Sequence, residues 1–180
     1  MQQKAILFDR DGVLIADPPD KRVDSTEKVS IFPESIDALS KIAKSGYLCF
    51  IITNQAGIGE GLITEAEFHT INDRMYQLLE PSDIKFEKLY FSVDTKDSNS
   101  HRRKPITGMF EELVAEYDID TENSFMIGDR DTDVEFGTRC GLKTILMDRQ
   151  DDLSFAHVNS SSPTHIAKDL NEVASIVQNT

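Results

Sequence analysis

The sequence predicts an α/β fold, a doubly wound and mostly parallel sheet with helices on both faces. Three observations carry this. Short apolar runs alternate with amphipathic stretches along almost the whole chain. Helix-length segments separate the successive strands, as parallel pairing requires. The strands also end abruptly on polar residues, and ligands of such sheets bind beyond the carboxyl ends of the strands.

The elements follow in order. Residues 4–9, KAILFD, read as a buried strand. Residues 33–46 read as a helix with Pro33 early and Gly46 at its C-terminal end. Residues 47–54, YLCFIITN, have the aromatic and β-branched content of a strand. Residues 64–80 read as a helix, with Thr64 as cap and Glu67 three residues on forming a capping box. Residues 88–93 are a third strand, 106–118 a helix after Pro105, and 124–129 a fourth strand. Residues 132–141 are a short helix ended by Gly141, 143–148 a fifth strand and 166–178 a closing helix. Residues 9–30, 94–105 and 149–165 read as loops, the last with a serine run. No internal repeat is visible.

Size and composition bound the function. A chain of 180 residues is expected to form one domain over 1–180 with a sizeable core. Its net charge of −13 opposes phosphate backbones and anionic membranes, so a nucleic-acid partner and a membrane are not expected. The apolar start is too short for a signal peptide, and no run approaches a membrane span. Cys49 and Cys140 lie far apart and suggest packed thiols in a reducing cytoplasm. His69, His101, His157 and His165 show no metal spacing. Nothing indicates an oligomeric partner.

The strand ends hold the chemistry. Asp9 closes strand one and Asp11 follows; residues two apart on an extended backbone point the same way. Thr53 and Asn54 close strand two, Asp129 closes strand four, and Arg103 and Lys104 precede a helix. Clustered carboxylates must be partly protonated or hold a cation, and hard oxygen ligands with open positions suit Mg²⁺. Such parts suit phosphoryl transfer. One carboxylate can attack phosphorus, a second can protonate the leaving oxygen, and a cation and a lysine can offset phosphoryl charge. Gly57, Gly59 and Gly61 lack a dinucleotide fingerprint and read as a turn or lid with no helix starting directly.

Four ordered motifs then carry a resemblance. DRDGVLI, FIITNQAGIGEG, RRKP and MIGDRDTD resemble the four motifs of the haloacid-dehalogenase (HAD) superfamily, over residues 4 to 148. The resemblance implies that Asp9 is a nucleophile and Asp11 a general acid and base. It implies that Thr53 and Lys104 hold phosphate, with Asn54 and Arg103 beside them. Asp129 would bind Mg²⁺ with Asp9 and the Asp11 carbonyl, and Asp133 would stand behind them. TNQAGI and RKP resemble the small branch without a large cap, and residues 64–93 leave no room for one.

Within that branch the chain resembles histidinol-phosphate phosphatases, D,D-heptose 1,7-bisphosphate phosphatases and the 3′-phosphatase of polynucleotide kinases. The first two commonly carry a zinc loop before RKP. Here Ser92, Asp94, Ser100 and Arg102 stand near the ligand positions, so no zinc is expected. The preferred reading is a Mg²⁺-dependent phosphatase of a small phosphorylated metabolite, histidinol phosphate first and the heptose bisphosphate second. The acidic residues Asp17, Asp20, Asp24 and Glu60 suit a cationic substrate, whereas Arg102 and Arg103 suit a second phosphate. A polynucleotide 3′-phosphatase and a phospho-acceptor receiver domain are the remaining alternatives. A receiver fits poorly, because Asp94 is a weak match for its acceptor.

Overall fold

The structure is a computed structural model and describes residues 2–20, 22–149 and 162–180. Six parallel strands form one sheet in the order β3-β2-β1-β4-β5-β6. They are β1 (Ala5–Phe8), β2 (Leu48–Asn54), β3 (Phe86–Ser92), β4 (Phe125–Gly128), β5 (Lys143–Met147) and β6 (His165–Ala167). The helices are α1 (Ser35–Ala43), α2 (Ala56–Gly59), α3 (Glu65–Leu79), α4 (Gly108–Glu116), α5 (Asp131–Arg139) and α6 (Leu170–Gln178). The doubly wound expectation is met.

Strand alternation sorts β1 between two cores. Ile6 and Phe8 pack on one face with α1, α3 and α6, through Leu39, Phe68 and Val173. Ala5 and Leu7 pack on the other with α4 and α5, through Met109, Leu113 and Phe136. Both faces of the strand are therefore covered, which is why it reads as a continuous apolar run. Each fully buried large side chain contributes roughly 1.5–3 kcal/mol of transfer free energy. The α3 capping box forms as expected: Thr64 Oγ1 accepts from Glu67 N, and Glu67 Oε2 accepts from Thr64 N at 2.7 Å.

Three expectations need correction. Residues 165–167 pair with β5 as a sixth strand, and the closing helix starts at Leu170 instead of 166. Three residues are too few for alternation to register, and the start signal is Asp169, whose Oδ1 accepts from Glu172 N at 2.9 Å. A helical turn, α2, does start directly after Gln55. The polar loop at 9–30 also contains the fully buried Val13, Leu14 and Ile15, whose turn is closed by Leu14 N donating to Arg10 O. Most of the loop expected at 149–165, with His157 and much of the serine run, lies outside the described residues.

Chain order reverses direction between β1 and β4, so a crevice opens beyond their carboxyl ends. Between β2 and the basic loop stand α2, α3, a short 3₁₀ turn at Glu80–Ser82 and β3, with no further domain among the described residues. No helix there is long and apolar enough to cross a membrane.

Candidate active site

Asp9 sits one residue beyond β1, and its backbone N–H still donates to Ile127 O of β4. The sheet thus fixes the direction of its side chain, which is 10% exposed. Asp9 Oδ1 accepts from Arg10 N at 2.7 Å and lies 3.1 Å from Lys104 Nζ. Lys104 is buried and also lies 2.6 Å from Asp133 Oδ1. A third partner is the Ile52 carbonyl at the end of β2, which accepts from Nζ at 2.8 Å. One ammonium thus ties three segments together beneath the crevice.

Asn54 holds the lysine's backbone. Its Oδ1 accepts from Lys104 N at 2.9 Å and its Nδ2 donates to Lys104 O at 3.1 Å. Its amide lines the crevice but is engaged with the loop. Asp133 has two roles: Oδ2 accepts from Arg130 N as a cap on α5, and Oδ1 pairs with the lysine. One carboxylate thus caps the helix and engages the lysine.

Asp129 follows β4 and completes the group. Carboxylate oxygens of Asp9, Asp129 and Asp133 lie within 4.8 Å of one another. Asp129 Oδ1 is buried and accepts no hydrogen bond; the nearest cation is Arg130 Nε at 3.8 Å. Gly12 makes the approach possible. Its φ is +79°, and a Cβ there would lie 2.3 Å from Asp129 Oδ2.

The electrostatics follow from this crowding. Burial, opposed by Lys104 and aided by the charges of Asp133 and Asp11, pushes the Asp9 carboxyl up to about 6. Burial and the charges of Asp9 and Asp133 push Asp129 up to about 8. Burial alone would lower the Lys104 ammonium, but the charges of Asp133 and Asp9 outweigh it and raise its pKa. The cluster is short of positive charge, and the Asp129 oxygen that accepts no hydrogen bond faces the shortage. This acidic group fits a divalent cation, with oxygen donors and no thiolate.

Asp11 stands apart from that trio. Both its oxygens meet the Arg10 guanidinium, at 3.0 Å from Nη2, and Oδ2 also accepts from Gln55 Nε2 at 2.8 Å. Gln55 Nε2 donates to Thr53 Oγ1 too, at 2.9 Å. Arg10 and Gln55 are the contributors that sequence reasoning passed over.

These residues line a cleft of about 1160 Å³. Its wall carries both signs of charge: Asp17, Asp24 and Glu60, but also Lys96, Arg103 and Arg130. Two specificity expectations change. Asp20 and Asp24 share Lys28, at 2.6 and 2.9 Å, so two of the acids expected to meet a cation already have one. Arg102 is absent from the wall and pairs with Glu112 at 2.8 Å, whereas Arg103 does line the cleft. Ser92, Asp94 and Ser100 form a hydrogen-bonded clasp. Asp94 Oδ2 accepts from Ser92 Oγ at 2.9 Å and Ser100 Oγ at 2.6 Å. Ser100 Oγ accepts from the N–H groups of Arg102 and Arg103. His101 is exposed and pairs with Glu111 at 3.2 Å. The thiols of Cys49 and Cys140 are free and buried.

The chain shares sequence and fold with known proteins. A HAD-hydrolase-like family model matches residues 101–173. The chain is 39% identical over 147 residues to the histidine biosynthesis bifunctional protein HisB of Spirosoma linguale, covering 80% of this chain and 38% of that protein. The chain thus spans about two fifths of the length of the HisB relatives it matches. It is similar to the D,D-heptose 1.7-bisphosphate phosphatase of B. bronchiseptica, solved with magnesium and phosphate. That structure aligns at a TM-score of 0.87 over 99% of this chain and all of the other, at 24% identity. A Thermoplasma volcanium protein named "Probable D-glycero-D-manno-heptose-1,7-bisphosphate 7-phosphatase" is 33% identical over 140 residues, covering 77% of this chain and 94% of its own length. Likeness along nearly the whole of that relative, on a sheet whose edge gathers the four motif segments, places the chain in the HAD-like hydrolase family.

Proposed function

We propose that this protein is a Mg²⁺-dependent phosphomonoester hydrolase working through an aspartyl-phosphate. The observation that carries the reading is Lys104, buried between Asp9 and Asp133 with Asp129 beside them. A buried lysine with two carboxylates has lost its hydration, and breaking such a group costs roughly 3–5 kcal/mol. A phosphoryl group placed above it would meet an ammonium, the Thr53 hydroxyl and a carboxylate nucleophile together.

Asp9 attacks phosphorus and Asp11 gives a proton to the leaving oxygen, then takes one from the water that opens the acyl phosphate. Lys104 and Thr53 hold the phosphoryl oxygens, while Asn54 and Asp133 keep the lysine in place. Asp9, Asp129 and the Asp11 carbonyl would hold Mg²⁺, which when bound supplies positive charge for the phosphoryl oxygens.

The substrate we favour is a small phosphorylated metabolite with a cationic group, histidinol phosphate, in a cytoplasmic setting. The similarity to a histidine biosynthesis protein and the acids Asp17 and Glu60 on the cleft wall support it. A second reading, a heptose 1,7-bisphosphate, draws on Lys96 and Arg103 on the same wall and on the named relatives. The test is turnover with Mg²⁺ on both esters. Asp9→Asn should lose at least about a thousandfold in kcat while keeping its fold. Near-normal turnover in that variant refutes the mechanism, and preference for the bisphosphate refutes the substrate alone.

A further inference from the structure

Arg10, between the two acids of the DRDG segment, is the largest side chain of the fully buried set. Burying a guanidinium is costly unless every donor is engaged. Here the partners come from separate parts of the chain. Nη1 donates to Asn72 Oδ1 on α3 at 3.1 Å, and Nη2 donates to Gln55 Oε1 at 3.1 Å. Nε and Nη2 face both oxygens of Asp11, at 3.3 and 3.0 Å. The guanidinium carbon lies 5.0 Å from the centroid of the Phe68 ring. The backbone N–H of the same residue donates to Asp9 Oδ1.

We propose that Arg10 is a positioning residue that aims Asp11 at the leaving-group side of the cleft, with Gln55 and Asn72 fixing the arginine in turn. This rests on the phosphatase reading above and extends it. The planar fork of an arginine orients a carboxylate in two dimensions, which a point-charge ammonium does not. Gln55 fixes the third, because the same Nε2 bonds Asp11 and the Thr53 hydroxyl. The acid is thereby registered against the phosphate-holding group. Without the clamp, Asp11 is free to change rotamer, and misplacing a catalytic group by about 1 Å can cost a hundredfold.

The step that depends on this alignment is leaving-group departure. The oxygen–phosphorus bond to Asp9 forms as the bond to the leaving oxygen breaks. The electron pair stays on that oxygen, which takes the Asp11 proton. An alkoxide needs the proton; a nitrophenolate departs without it. An arginine that merely fills the core would, when altered, depress both kinds of ester alike.

The experiment compares kcat/KM for phenethyl phosphate and 4-nitrophenyl phosphate, with Mg²⁺, in the full chain. In Arg10→Met the ratio of the first to the second should fall about tenfold or more, with Arg10→Lys between it and the parent. Asn72→Leu, which touches the arginine from outside the cleft, should lower it about threefold and decides the matter if Arg10→Met does not fold. Asp11→Asn sets the limit, about a hundredfold. A ratio unchanged in folded Arg10 or Asn72 variants, while Asp11→Asn lowers it, overturns the positioning role and leaves the phosphatase reading standing. A parent protein that hydrolyses neither ester refutes that reading and the inference with it.

Discussion

Replacing Asp129 by Asn should stabilise the metal-free protein at alkaline pH. Removing an acid from a folded site usually destabilises; here the acid is in surplus. Asp129 is pushed from 3.8 to about 8, by burial and then by the charges of Asp9 and Asp133. An acid whose pKa is higher folded than unfolded binds its proton more tightly in the folded state. The folded state therefore loses stability as pH rises from the unfolded value towards the folded one. At about 1.36 kcal/mol per pKa unit, the penalty reaches about 5 kcal/mol at pH 8 and falls below about 2 kcal/mol at pH 5. The side chain is 22% exposed and shares its crowding with Asp9, so about 2–3 kcal/mol is the realised size at the alkaline end. Urea unfolding in excess chelator, at acid and alkaline pH, measures it. Asp129→Asn should raise the midpoint at alkaline pH and change it little at acid pH. Added Mg²⁺ should stabilise the parent by mass action and the variant far less. A variant less stable than the parent at alkaline pH in chelator, or one whose effect ignores pH, refutes the account of the cluster.

Two more expectations concern the supports of the site. Gly12→Ala places a Cβ against Asp129 at a φ of +79°, so it should cost at least about 1–2 kcal/mol in stability and weaken Mg²⁺ binding, read by calorimetry. Asp94→Ala opens the clasp that shapes the loop before Arg103, and should raise KM about fivefold with a smaller change in kcat. Asp94→Asn should recover most of that loss, because both serine hydroxyls meet a single oxygen, Oδ2, which an amide carbonyl can replace. Equal KM values in Asp94→Ala and the parent would show that the clasp does not set the position of Arg103.

How much of this was legible in the sequence depended on whether the signal was local. The strands β1 and β4 are fully buried runs and β2 is buried along its middle, and each runs into polar groups, so the strands and the residues at their ends could be read together. The sixth strand could not be read this way. His165, Ile166 and Ala167 are recruited only because Ile145, Leu146 and Met147 lie beside them. Net charge is silent about the cleft for the same reason. A total of −13 does not reveal that Lys28 already neutralises Asp20 and Asp24, nor that Arg103 and Arg130 face the cleft. Nor does the sequence show that both ends of the Asn54 amide meet the Lys104 backbone.

Arg10 does carry a local signal in the sequence. If Asp9 and Asp11 face the cleft from an extended backbone, alternation turns the residue between them the other way. Behind the cleft lies the protein, so a charged side chain there must be buried and must find partners. The nearest carboxylate is that of Asp11, which the same alternation leaves at the cleft edge. A long side chain can fold back to reach it, and Arg10 does so at 3.0 Å. The remaining donors need neutral acceptors from distant segments, and Asn72 and Gln55 supply them. A cation flanked by two acids that face the cleft therefore predicts a buried clamp even before the partners are known. What the sequence cannot name is which amides complete it, because Asn72 on α3 and Gln55 just after β2 meet the arginine only in the folded chain.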